Sequence, residues 1–216
     1  MSPLRSIPFA AALAALPAAE AAAHPHIFVD TALRVVMDTT GEISGIEVTW
    51  RYDELYSLLI FEDMGLDSDY DGKLTEAELK QLQGFDMQWV DGYEGDLYLS
   101  RGAAPLKLGK PQPKQTIIRD GRIETVHFRP LAAPQPGQGE ALVLRAYDPT
   151  FYTAYDLTGG VRVPEACKVE IQAADLDAAY ARVEKELEGR PQETEDYPEV
   201  GDAFADTVSV RCGPAS

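Results

Sequence analysis

The chain has 216 residues, and 36 acidic side chains against 19 basic ones give it a formal net charge of −17. So acidic a surface repels nucleic acid and anionic lipid while concentrating cations, which argues against a polynucleotide partner, although acidity also simply keeps a protein soluble. The length suits one domain with a sizeable core, or two small ones.

In chain order, the first segment is an export signal. Arg5 supplies a positive start, Ile7 to Leu16 a short apolar core, and Ala21, Ala22 and Ala23 the small side chains of a cleavage site. Residues 1–23 are therefore expected to be a signal peptide, and 24–216 a single periplasmic domain. The apolar core is shorter than the ~20 residues of helix that cross a bilayer, and no later segment approaches that length, so the protein is not expected to be membrane-embedded. No cysteine near the cut offers a site for a lipid anchor.

Cleavage after Ala23 leaves His24 with a free amine, followed by Pro25 and His26. Amine and imidazole are nitrogen donors near neutral pH, and in an extended strand the rings two residues apart project to the same side. Such donors suit Zn²⁺, Ni²⁺, Co²⁺ or Cu²⁺. Pro25 has no amide hydrogen, which excludes a square-planar site built from deprotonated backbone amides. His127 and Asp148 are the candidate further ligands. The ordinary alternatives are a solvated terminus and, for His127, a strand histidine satisfied within the fold.

Strands dominate the chain from there on. "HIFVDTALRVVM" and "GIEVTWRY" flank a turn at Gly41 and Glu42 and read as a hairpin. A helical insertion is expected over 53–90, its incoming helix presenting Leu55, Leu58 and Leu59 as the apolar face. Strands return in "DLYLSRG", "PLKLG", "KQTIIRD", "RIETVHFRP" and "EALVLRAYD", with Asp120 and Gly121 forming a hairpin turn. "PLAAPQPGQGE" reads as irregular loop. "CKVEIQ" and "DTVSVRC" read as late strands joined by a helix capped at Asp175 and ending at Gly189, with an exposed acidic loop, "RPQETEDYPEVGD", between helix and last strand. Cys167 and Cys212 are the only cysteines, and in an oxidising compartment they are expected to form one disulfide. The fold class is α+β: a mainly antiparallel β sandwich-like domain with an EF-hand-like helix-loop-helix insertion and one C-terminal helix.

The most specific motif lies in the insertion. "DSDYDGKLTEAE", Asp67 to Glu78, matches the twelve-residue calcium loop at each defining position. Asp67, Asp69 and Asp71 stand at positions 1, 3 and 5, with Gly72 at the sharp turn. Lys73 contributes only its backbone carbonyl, Thr75 acts through a water, and Glu78 closes the site with two oxygens. Oxygen ligands in this number suit Ca²⁺. Thr75 with Glu78 is equally a helix-capping box, which needs no metal. Three aspartates packed so closely have no such alternative, because like charges repel unless a cation sits among them. The loop resembles the EF-hand family, although it stands alone rather than paired as in sensor proteins.

"HPHIFVD" after a signal, "WRYDELYS" at a strand end, the calcium-type loop and later "YDPTFYTAY" together resemble a bacterial periplasmic family known as domain of unknown function 1007, described as the periplasmic component of an ABC-type transport system. The resemblance spans nearly the whole mature chain and carries over onto His24, His26, Asp148, Pro149, Thr150, Phe151 and Tyr152. Its members are often encoded near nickel, cobalt or zinc transport functions, which implies a metal-handling role with a membrane metal transporter as partner. Asp148 and Pro149 are also an ordinary turn pair, with the aromatics as core. The chain is short for a two-lobed solute-binding protein and lacks its alternating β and α units.

These readings converge on a periplasmic metal-binding accessory protein of a transition-metal transport system, with a calcium loop as staple. The alternative is a calcium-stabilised interaction module whose histidines hold no metal. A less favoured third is a copper-brace oxidase. No nucleophile elbow, phosphate loop or HExxH helix points to an enzyme.

Overall fold

A computed structural model describes residues 25–188 and 198–213. The expected signal peptide, His24, Gly189 and most of the acidic loop lie outside the described residues. Strands β1 (Ile27–Met37) and β2 (Glu42–Tyr52) form the expected hairpin. Its turn is held by the Asp38 carboxylate, which accepts the Thr40 and Glu42 N–H groups at 2.8 and 3.0 Å.

Asp53 then caps helix α1 (Glu54–Met64): one carboxylate oxygen accepts Tyr56 N–H at 2.8 Å, and the other accepts Phe28 N–H at 2.8 Å. The cap thus ties the helix to β1. α1 ends at Gly65 in the left-handed conformation. Its buried side chains are Ser57 and Phe61, whereas Leu55, Leu58 and Leu59 are exposed, contrary to the apolar face expected. The face that docks instead carries Phe61, with Tyr56, Ile60 and Met64 packed beside it, and Ser57, whose Oγ accepts Ile123 N–H at 3.0 Å. Helix α2 (Glu76–Leu82) begins with the capping box, and a 3₁₀ turn follows at Phe85–Met87.

The rest of the chain is β3 (Leu97–Arg101), β4 (Ala104–Leu106), β5 (Gln112–Arg119), β6 (Arg122–Pro136), β7 (Leu142–Ala146), β8 (Thr153–Arg162), β9 (Cys167–Gln172), α3 (Leu176–Leu187), a 3₁₀ turn at Gly201–Phe204, and β10 (Thr207–Cys212). The order is β5-β6-β2-β1-β8 in one sheet and β4-β3-β7-β10-β9 in the other. Every pairing is antiparallel except β1 with β8. Val29, Ile46 and Ile123 of the first sheet share one core cluster with Leu97, Leu144 and Val208 of the second, which makes the fold an α+β sandwich.

β8 has no counterpart among the expected strands, because Gly159 and Gly160 punctuate the segment. They sit at the bulge where the β1 register shifts between Asp30 and Ala32, and a side chain on Gly159 would collide with Ala32. β6 runs on through the proline-rich stretch expected to be irregular, pairing Gln135 with Ile43 and Pro136 with Glu42. Beyond Phe128 its other edge carries an isolated bridge, Leu131 with Leu108, and Ala132 N–H donates to Lys107 O, so Pro134 and Pro136 beyond these need no N–H for a second neighbour. Finally, Val200, at the end of the segment expected to be an exposed loop, is fully buried.

At the other end of the second sheet, Cys167 and Cys212 pair directly in the β9/β10 register and form the expected disulfide. That bond suggests an extracytoplasmic compartment. No helix among the described residues is long and apolar enough to cross a membrane.

Candidate functional site

The calcium-type loop is shaped by left-handed backbone at Asp67 (φ 51), Tyr70 (φ 56) and Gly72 (φ 75). Two of these are not glycine, and a cost of that kind persists only where the surroundings enforce it. Here the enforcement is internal. Asp67, largely buried, accepts Asp71 and Gly72 N–H groups at 3.1 and 3.2 Å, and Asp71 accepts Lys73 N–H at 2.9 Å. As a result, one carboxylate oxygen from each of Asp67, Asp69 and Asp71 lies within 4.8 Å of the other two.

Glu78 closes the loop on itself. Its Oε1 accepts Asp67 N–H at 3.1 Å, while Oε2 accepts the Thr75 N–H at 2.8 Å and the Thr75 hydroxyl at 2.7 Å. Those Thr75 donors hold the Glu78 carboxyl below its ordinary range. The capping box and the loop closure are thus one structure, in which both Glu78 oxygens accept protein donors. Lys73 projects outward, with Nζ 3.6 Å from an Asp71 oxygen. The arrangement can hold an ion on oxygen ligands, chiefly those of the three aspartates.

The histidine site falls into separate parts. His26 is exposed one residue before β1; its N–H donates to Tyr152 O at 2.9 Å, and its ring centroid lies 4.8 Å from that of Tyr152. His26 and the Asp148–Tyr152 segment, far apart in the chain, are therefore neighbours. Asp148 itself is engaged in a turn: Oδ1 accepts the Thr150 N–H and hydroxyl, both at 2.9 Å, and Oδ2 accepts Thr153 N–H at 3.0 Å. Phe151 takes positive φ at that turn and stacks on Phe204 with centroids 3.7 Å apart. Gly201 lies so close that a Cβ there would collide with the Asp148 carbonyl.

His127 does not join them, which corrects its place as a candidate ligand beside His26. It pairs with Val48, which pairs with Leu33, so along β1 it lies level with a residue roughly 23 Å from His26 at ~3.3 Å per residue. It also points into the core, 1% exposed, with ring centroids 4.6 Å from Trp50 and 5.9 Å from Trp89. Neither ring nitrogen has a hydrogen-bond partner. Burial, with the charge of Arg129 adding to it, pushes its pKa down to about 3, so the ring is neutral.

Sequence reasoning missed the polar groups between the sheets, Asp86 and Asp96. The signal that marks them is faint: Gly95 and Asp96 both take positive φ within the aromatic run "WVDGYEGDLY", a tight turn that aims a carboxylate inward. The family described as "Protein of unknown function (DUF1007)" matches residues 9–212. The chain belongs to this DUF1007 family. No curated protein matches it.

Proposed function

We propose that this DUF1007 protein is an exported metal-ion-handling protein. In this reading Ca²⁺ occupies the loop Asp67–Glu78, and the amino-terminal histidines hold a transition ion in the periplasm for a membrane transporter. The observation that carries it is the convergence of the Asp67, Asp69 and Asp71 carboxylates within 4.8 Å on a loop whose ends are clasped by Glu78. Such a concentration of anion is relieved by a cation, and the loop lies between two helices of the folded domain, so the ion would stabilise the native state by mass action. The transition-ion part draws on a separate observation: His26 is exposed beside Tyr152, on the segment following Asp148. His24 would supply the remaining donors.

Calorimetric titration with Ca²⁺, and separately with Zn²⁺, Ni²⁺, Co²⁺ and Cu²⁺, tests both parts. It compares the protein with an Asp67→Asn/Glu78→Gln variant and with one lacking residues 24–26. Loss of Ca²⁺ binding in the first and of transition-ion binding in the second is expected. Unchanged transition-ion affinity after deletion would remove the transport role.

A second reading, a calcium-stabilised interaction module, draws on the exposed Leu55, Leu58 and Leu59 of α1 together with exposed Phe28. It predicts calcium binding without any effect of the deletion.

A further inference from the structure

Between the two sheets, at the end where β1, β3 and β8 begin, lies a cavity of about 370 Å³ whose walls include the carboxylates of Asp86, Asp96 and Asp148. Aromatic rings make up most of the remaining wall: Trp50, Tyr52, Tyr56, Tyr93 and Tyr155. Among the described residues, no lysine, arginine or histidine lines it.

Among the described residues no cation pairs directly with Asp86 or Asp96. Asp96, 7% exposed, accepts the Tyr93 and Tyr155 hydroxyls at 2.9 and 2.8 Å, both on Oδ2, so neither engages Oδ1. Asp86 Oδ2 accepts the Tyr52 and Thr125 hydroxyls at 2.9 and 2.7 Å, while its Oδ1 is buried with no partner at all. A shielded carboxylate oxygen left in that state makes the charged form costly. The nearby cation, Arg129, is committed elsewhere: it donates to Gly109 O at 3.0 Å and Glu94 O at 2.8 Å, and its guanidinium lies 4.5 Å from the Trp89 ring centroid. Burial raises the carboxyls of Asp86 and Asp96 above their ordinary range, as expected for acids lacking a counter-charge.

A bare metal ion does not fit this pattern. Among the described residues only Asp67, Asp69 and Asp71 bring three such ligand atoms within 4.8 Å of one another, so the pocket acids do not converge on one point. Separated anions on an aromatic wall suit instead a longer ligand with cationic ends and an apolar stem. Ammonium groups gain both the carboxylates and the ring faces, and methylenes gain the rings. We propose that this pocket binds an aliphatic diamine or polyamine, with ammonium groups at Asp96 and Asp86 and the methylene stem against the tyrosine rings. The site is independent of the calcium loop and of the amino-terminal histidines.

The test uses putrescine, cadaverine and spermidine as probes, followed by calorimetry and by the fluorescence of Trp50 and Trp89. Saturable one-to-one binding is expected, weakened at least about 30-fold in Asp96→Asn and in Asp86→Asn, which keep an oxygen to accept the tyrosine and threonine hydroxyls. Circular dichroism of both variants checks the fold, and Glu184→Gln, exposed on α3 outside the pocket, should bind the amines as before. Absence of binding by all three amines, or affinities unchanged in both folded variants, would overturn the proposal. So would an Asp96-dependent site for Zn²⁺ or Ni²⁺ that the amines fail to displace.

Discussion

Replacing Asp96 by asparagine should make this protein more stable at neutral pH. Burial pushes the Asp96 carboxyl from 3.8 up to about 6, against the pull of the Tyr93 and Tyr155 hydroxyls; Asp148 raises it further and Arg129 lowers it. Because the folded pKa lies above the unfolded one, the group's contribution to stability is fully present below about pH 3.8 and is lost as pH rises through about 6. At about 1.4 kcal/mol per unit, ionising it in the folded state costs on the order of 3 kcal/mol at pH 7.5. Asparagine presents the same oxygen to both tyrosines and has no charge to bury. Urea unfolding of both proteins between pH 4 and 8 gives the difference in stability, in which His127 and the other titrating groups cancel. The variant should gain on the order of 2 to 3 kcal/mol at pH 7.5 and little at pH 4, with the gain building up between about pH 4 and 6 and flat above that. A difference that is flat with pH, or a loss at pH 7.5, would refute the assignment of Asp96 as an uncompensated buried anion.

Other consequences are equally direct. His127 is neutral in the fold with a pKa of about 3, so its contribution is present above about pH 6.5 and lost as pH falls toward 3; His127→Leu should remove up to about 5 kcal/mol of that acid sensitivity, read as a shallower fall of stability in urea melts at decreasing pH. Cys167→Ser/Cys212→Ser opens a loop with a sequence separation of 45 and should cost about 4 kcal/mol on the chain-entropy account, measured by the urea midpoint without reductant. Gly201→Ala forces a side chain onto the Asp148 carbonyl and should lower the melting temperature by several degrees, about what 1–3 kcal/mol of overpacking gives.

Local chemistry is legible in the sequence where a few adjacent residues decide the outcome. Asp120 and Gly121 turn a hairpin with positive φ at both, Asp175 caps α3, and Asp67 to Glu78 form a loop at the boundaries its spacing implies. The disulfide follows from there being only two cysteines. The features that escape such a reading depend on partners distant in the chain. β8 has glycines in mid-strand because β1 crowds it at a bulge, and a strand that pairs in parallel leaves no hairpin signal. α1 exposes its leucines because it docks through Phe61 and through Ser57, which reaches β6, a contact invisible to helical periodicity. The same applies to the candidate sites. His26 and Tyr152 are neighbours through β1 and β8, whereas His127 sits two strands away from β1 with its ring in the core. Asp86 and Asp96 acquire their character only from the aromatic residues that the sandwich folds around them.

The central claim, that the protein holds a metal ion on the Asp67–Glu78 loop, is tested most directly by native mass spectrometry of chelator-stripped protein returned to Ca²⁺. One added calcium per chain is expected, with the ion absent from the Asp67→Asn/Glu78→Gln variant. A chain that takes up no calcium, or a variant that retains it, would contradict the account.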